Sequence, residues 1–182
     1  MRLILISALV FSSVSAMAGG FEVSSPDIAA GKTIPQKFVF NGFGCTGSNI
    51  SPALNWKNAP AGTKSYAITV HDPDAPTGGA GFWHWVVINL PATMTGLAQG
   101  DGALNSTHLP AGAEQIRTDY GQPGWGGPCP PVGDKPHHYN FTVYALKTAK
   151  LDIPANATAS LVGFMINSQT LAKAKLTARY GR

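Results

Sequence analysis

"GPCPPVGDKPHHYNFTVYAL" spans Gly127 to Leu146 and changes character half-way. The first half is dense in proline and glycine, which favours turns over a regular element. The second half alternates. Side chains of a strand point to opposite faces with period two. Phe141, Val143 and Ala145 therefore share a face with His137 and Tyr139, and His138 turns to the other. A stiff loop thus delivers a histidine and a tyrosine to the head of an apolar strand row. That pattern predicts a β-protein with polar groups gathered at strand ends.

Two further strands carry the same signature. In Ser65–Asp72, the residues Tyr66, Ile68 and Val70 form a row that Asp72 ends. In Trp83–Leu90, the row is Val86, Ile88 and Leu90, and His84 begins it. If these two strands pair antiparallel through residues 73–82, and the third runs parallel to the second, then Asp72, His84, His137 and Tyr139 converge at one sheet edge. β-Branched and aromatic content adds strands at Phe21–Ser25, Lys37–Asn41, Ala53–Trp56 and Lys175–Tyr180. One helix is expected over Thr158–Lys173, where Leu161, Val162, Met165, Ile166 and Ala172 recur at helical spacing behind Pro154. Gly (21) and Pro (14) are frequent, and long connections fall at 41–52, 73–82, 92–115 and 120–136. Loops of that length in a compact domain are often functional. "GFGCTG", Gly42 to Gly47, matches G-x-G-x-x-G, but Ser48-Asn49-Ile50-Ser51-Pro52 follows and does not open a helix. A dinucleotide site needs that helix, so the glycines are read as a turn around Cys45.

The start of the chain reads differently from the rest. Arg2 precedes an apolar stretch, Leu3–Phe11, and small residues ending in Ala16-Met17-Ala18. This predicts a secretory signal cleaved after Ala18 and a periplasmic or secreted protein. Residues 19–182 suit one domain with a sizeable core. The two cysteines, Cys45 and Cys129, would meet an oxidising space and form one disulfide. Closing a loop of about 85 residues contributes up to ~4–5 kcal/mol through chain entropy. Charged residues are 12% and the formal net charge is +4, without a run of Lys or Arg. Nucleic acid is therefore not an expected partner. Nor is a membrane span expected, since no segment is long enough.

The quoted stretch, "DPDAP" (Asp72 to Pro76) and "WHWVVINLP" (Trp83 to Pro91) resemble the phosphatidylethanolamine-binding protein family, also called Raf-kinase-inhibitor-like. The bacterial periplasmic branch is the nearest in pattern. "SPALNW" (Ser51 to Trp56) and "LVGFMIN" (Leu161 to Asn167) extend the resemblance over nearly all of residues 19–182. The resemblance implies a mostly β fold. It would be an antiparallel β-sandwich with a central sheet, one main helix near the C-terminus and short peripheral helices. It also implies a pocket for a small anion or phosphorylated head group. The matching positions are Asp72, His84, Gly127, Pro128, Pro131, His137 and Tyr139, with Asp74 shaping the adjacent loop. The two prolines of "DPDAP" lie at a sharp change of direction, and a cis Ala75–Pro76 bond is expected there. Longer members of the family carry a C-terminal helix over the pocket. Nothing after Tyr180 matches it here, so firm retention of a long-chain lipid is not expected.

The chemistry of such a pocket follows from its residue types. His84 and His137 would each donate a ring N–H to an anionic oxygen, and the Tyr139 hydroxyl would donate as well. Gly127 permits close backbone approach, and Pro128 and Pro131 stiffen the rim. Asp72 repels an anion and is better used to orient a histidine. Phosphate binding would then weaken from about pH 6 to about pH 8 as the histidines lose protons. This reading is a binding protein, not an enzyme, with no cofactor and with a protein partner that the sequence does not identify. Two alternatives use parts of the same pattern. A metal-dependent hydrolase would take Asp72, His84 and His137 as ligands, although no close-spaced ligand pair exists and His137 and His138 point apart. A protease-inhibitor-like interaction protein is the other. A serine hydrolase lacks its G-x-S-x-G elbow.

Overall fold

The computed structural model describes residues 19–182, and the expected leader, residues 1–18, lies outside the described residues. The elements in chain order are β1 (Glu22–Ser24), a 3₁₀ turn (Gln36–Phe38), β2 (Asn41–Gly42), β3 (Cys45–Thr46), β4 (Leu54–Lys57) and β5 (Ser65–Asp72). Then come β6 (Phe82–Pro91), β7 (Gly96–Leu97), β8 (Glu114–Gln115), β9 (His137–Leu146), α1 (Ala159–Gln169) and β10 (Thr170–Tyr180). The main sheet has the order β10-β9-β5-β6-β8, and β1-β4-β7 and β2-β3 form two smaller sheets. Every pairing between these strands is antiparallel. The fold is mostly β with one main helix. Since β5 lies between β6 and β9, those two run in the same direction on either side of it.

Apolar alternation gives this sheet two cores. On one face Ile68, Val70, Trp85, Val87, Phe141 and Val143 pack with Leu54 and Trp56 of β4. On the other, Ala67, Val86, Ile88, Tyr144 and Leu146 pack with Val162 and Ile166 of α1. Fully burying each large aliphatic or aromatic side chain contributes about 1.5–3 kcal/mol.

The row expected in β6 holds only for Val86 and Ile88; His84 and Leu90 leave it. Tyr66 faces Leu90 but Ile68 faces Val87, and Val70 faces Trp85 but His71 faces Trp83. Each shift inserts one extra residue in β6, a β-bulge. Asn89, at φ 60°, accommodates the first. Val86 and Ile88 consequently pack under the helix, while Trp85, Val87 and Leu90 join the opposite core. The second bulge, at His84, places that ring on the Asp72 face rather than in a row with Val86.

Three other expectations are corrected. The strand expected over Lys37–Asn41 is a 3₁₀ turn followed by a two-residue strand. Pro35 sets the entry (φ −62°) and the Val39 N–H closes the turn on the Gln36 carbonyl. The helix ends at Gln169, not Lys173. It starts where expected, because the Thr158 side chain accepts from the Leu161 N–H at 3.2 Å. "TLAKAK" instead opens β10, whose ladder with β9 begins at Thr170 opposite Leu146. Finally, no cis peptide occurs among the described residues, so Ala75–Pro76 is trans. The chain reverses without it: Asp72 Oδ1 accepts from the Asp74 N–H (2.8 Å), and the Thr77 N–H closes a three-residue turn on the Ala75 carbonyl (2.7 Å). Proline's fixed φ suits the centre of such a turn.

Cys45 and Cys129 are disulfide-bonded, with Cα atoms 6.0 Å apart. The bond ties the β2–β3 hairpin to the proline-rich segment before β9. Among the described residues no helix is long and apolar enough to cross a membrane.

Candidate functional site

A cavity of about 170 Å³ opens where β5 ends and where β6 and β9 begin. Asp72 closes β5, His84 sits on the second bulge of β6, and His137 and Tyr139 open β9. These four residues are 0–4% exposed, and all line the cavity. Pro131 lines it as well.

Three expected residues stand behind it. Asp74 turns to His138, accepting from its backbone N–H (2.7 Å) with Nδ1 also 2.7 Å away. Gly127 is required by backbone packing, because a Cβ there would overlap the Phe38 carbonyl. Its N–H donates to Asn49 Oδ1 (2.8 Å) and its carbonyl accepts from the Tyr120 hydroxyl (2.7 Å). The Pro128 carbonyl accepts from the Phe40 N–H (3.1 Å). These residues build the wall and do not face the cavity.

Sequence reasoning missed the aromatic part of the lining, Phe43, Phe82 and Tyr120; Ala75, Pro76, Thr77, Cys129 and Pro130 complete it. Tyr120 stacks on Phe40 with ring centroids 4.2 Å apart and lies edge-on to His84 at 5.6 Å. It belongs to a long loop without periodicity, so no pattern pointed to it. Gly126 carried the hint. A Cβ at Gly126 would overlap the Tyr120 ring.

The hydrogen bonds assign a role to each ring nitrogen. His84 clamps the Gly126 backbone in both directions: the Gly126 N–H donates to the His84 carbonyl (2.9 Å), and His84 Nδ1 lies 2.7 Å from the Gly126 carbonyl. A carbonyl only accepts, so Nδ1 carries the proton. Burial lowers the His84 pKa to about 4 against the smaller raising effects of the Gly126 carbonyl and Asp72. His84 is thus neutral at ordinary pH, with Nε2 an acceptor. That nitrogen makes no hydrogen bond among the described residues.

His137 lies between two carboxylates. Nδ1 is 2.8 Å from Asp72 Oδ2, and Nε2 is 3.3 Å from Asp134 Oδ2. Burial works to lower its pKa. The hydrogen bonds and charges of Asp72 and Asp134 outweigh burial and hold it above the usual histidine value. Both histidines were expected to donate to a ligand; instead His84 spends its N–H on Gly126 and both nitrogens of His137 face carboxylates. Among the described residues the Tyr139 hydroxyl is buried and makes no well-formed hydrogen bond, although the Asp72 carboxylate lies close enough to interact with it. Burial, and then the Asp72 charge, push its pKa up, so it remains protonated. Among the described residues no group of three or more His, Cys, Asp or Glu side chains has an arrangement that could hold a metal ion. The Asp72/His84/His137 metal reading therefore finds no ligand set.

The family model for phosphatidylethanolamine-binding protein matches residues 24–181. The chain belongs to the phosphatidylethanolamine-binding protein family. Within this family it is similar to YbcL of Escherichia coli strain K12, 51% identical over 178 residues that cover 98% of this chain and 97% of YbcL. The crystal structure of E. coli YbcL, described as a member of the mammalian PEBP family, matches with a TM-score of 0.86 at 51% identity. It covers 89% of this chain and 98% of that one. A relative in Mycobacterium tuberculosis strain H37Rv, LppC, is named as a candidate lipoprotein. It is 37% identical over 158 residues, 87% of this chain and 71% of its own.

Proposed function

We propose that this protein is an exported, non-enzymatic binding protein whose cavity takes a small anion or phosphorylated head group, and that occupancy modulates a second protein. The Tyr139 hydroxyl carries the reading: it is buried, protonated and without a well-formed hydrogen bond among the described residues, and its ring lines the cavity. Leaving a buried polar group unpaired costs about 1–3 kcal/mol. A ligand oxygen recovers that cost. The volume supports a phosphate-sized group over a drug-sized ligand, whose pockets run to roughly 300–1,000 Å³. Arg182 brings positive charge next to two lining residues, donating to the Pro130 carbonyl (Nε, 2.6 Å) and the Phe43 carbonyl (Nη2, 3.1 Å).

In this reading Asp72, His84, Pro131, His137 and Tyr139 contact the ligand. Asp74, Gly127 and Pro128 support them. Export is supported by the Cys45–Cys129 disulfide and by the lipoprotein name of a relative. Titration calorimetry with phosphate, phosphoethanolamine and acetate tests the site. Tyr139→Phe should weaken phosphate binding roughly 10–100-fold, the worth of a hydrogen bond to a charged group. An unchanged affinity in that variant rejects the assignment.

A further inference from the structure

We infer that the open edge of β10 docks an extended acidic segment of a partner protein, which adds there as a further strand. The edge lies apart from the cavity, and its role does not rest on the anion-pocket reading.

β10 ends the main sheet. Only part of its outer edge is covered. The Arg179 N–H donates to the Lys32 carbonyl (2.9 Å), and the Arg179 carbonyl accepts from the Ile34 N–H (2.8 Å). The Thr177 carbonyl accepts from the Gly31 N–H (2.8 Å). Thr177 and Arg179 thus turn backbone groups outward, and by the strand period Lys173 and Lys175 do the same. The covering segment, residues 31–34, stops short of these two. Among the described residues their outward N–H and C=O groups make no hydrogen bond.

Charge guards this edge and decides what it accepts. Lys173 and Lys175 stand opposite Tyr144 and Thr142 of β9, so their side chains rise on the α1 side of the sheet, as does that of Arg179. None of the three forms an ion pair among the described residues. Residues 153–182 contain no Asp or Glu. Glu22, beside Val23 in β1, is engaged by Lys57 at 3.1 Å. An unpaired edge invites another strand, and lysines on it repel unsuitable ones. A second copy of β10 would set lysine against lysine. An acidic strand instead brings a carboxylate opposite each lysine, with Cβ atoms about 5 Å apart. Val23 and Leu176 add apolar surface to a groove of about 360 Å³ along the same edge, beside Lys175 and Arg179. Leu176 faces away from the lysines, so the residue between two acidic ones meets an apolar neighbour. The pattern that fits is acidic–apolar–acidic, held by main-chain hydrogen bonds as in strand addition.

Two blocked peptides, acetyl-SEVEVES-amide and acetyl-SKVKVKS-amide, test the edge on the purified protein. In NMR hydrogen exchange, the acidic peptide should slow the Lys173 and Lys175 amides at least ~10-fold, and the basic one should leave both fast. The double variant Lys173→Glu/Lys175→Glu should invert that preference. Both positions are exposed, and thermal unfolding checks that the variant is folded. Equal binding of the two peptides overturns the inference, and so does acidic binding that leaves these amides unprotected. Absence of binding at ~1 mM peptide overturns it as well. If the amides are already slow in the free protein and quicken on dilution, the edge belongs to a second copy and the inference fails.

Discussion

The two site histidines have opposite electrostatic fates, and each has a consequence for stability. His84 is held neutral, with its folded pKa lowered to about 4. In the unfolded chain it titrates near ~6.5, so between about pH 6.5 and about pH 4 only the unfolded state takes up the proton. Stability from His84 is therefore complete above that window and declines through it on acidification. His137 behaves in reverse. Its folded pKa is raised, so its contribution is complete below about pH 6.5 and is lost as pH rises through the folded value. Urea midpoints of wild type and His84→Gln, compared from about pH 7 to about pH 4, should converge, because only the wild type carries the His84 penalty. Parallel curves would show that this ring charges in the folded state.

At the level of elements, the two bulges of β6 decide which side chains reach the site. Asn89 supports the first in two ways. Its backbone sits at φ 60°, and its Oδ1 accepts from the buried Leu151 N–H at 2.8 Å. Asn89→Ala should cost about 2–5 kcal/mol, combining a left-handed backbone of ~1–2 kcal/mol with an orphaned buried donor of ~1–3 kcal/mol. Asn89→Gly should relieve the backbone part alone and be the milder variant in urea unfolding. If the two variants unfold at the same midpoint, the left-handed backbone contributes nothing. The helix N-terminus is simpler. Thr158→Ala should remove about 1 kcal/mol and leave phosphate affinity unchanged, since α1 lies across the sheet from the cavity.

On the scale of the whole molecule, the disulfide links two loops that local interactions leave apart. Cys129 lines the cavity and Cys45 anchors the hairpin that carries Phe43 to its rim. Reduction should lower stability by about 2–5 kcal/mol. It should also weaken phosphate binding in protein that is still folded. Calorimetry with and without dithiothreitol, with folding followed by circular dichroism, checks both. Unaltered affinity in the reduced, folded protein would mean that the cavity wall stands without the bond.

Alternation within β5 and β9 was legible because both strands are regular. Each keeps period two to its end, so Asp72 could be put at the end of one apolar row and His137 with Tyr139 at the head of another from residue order alone; the β5–β9 pairing that joins them is tertiary. Two cysteines and a Pro–Gly-rich wall likewise announced their link. His84 reached the same cluster for a reason no periodicity contains. A bulge is one extra residue whose cost is met by pairing and packing with β5, and the two in β6 detach His84 and Leu90 from the row that simple counting builds. The end of α1 was decided in the same way, by a ladder with β9 that overrides the helical spacing of "TLAKAK". Tyr120, Phe43 and the proton on His84 Nδ1 also waited on tertiary structure. Their positions depend on a loop carbonyl at Gly126 and on rings stacked across three segments. Contacts between distant parts of the chain leave no period in the sequence.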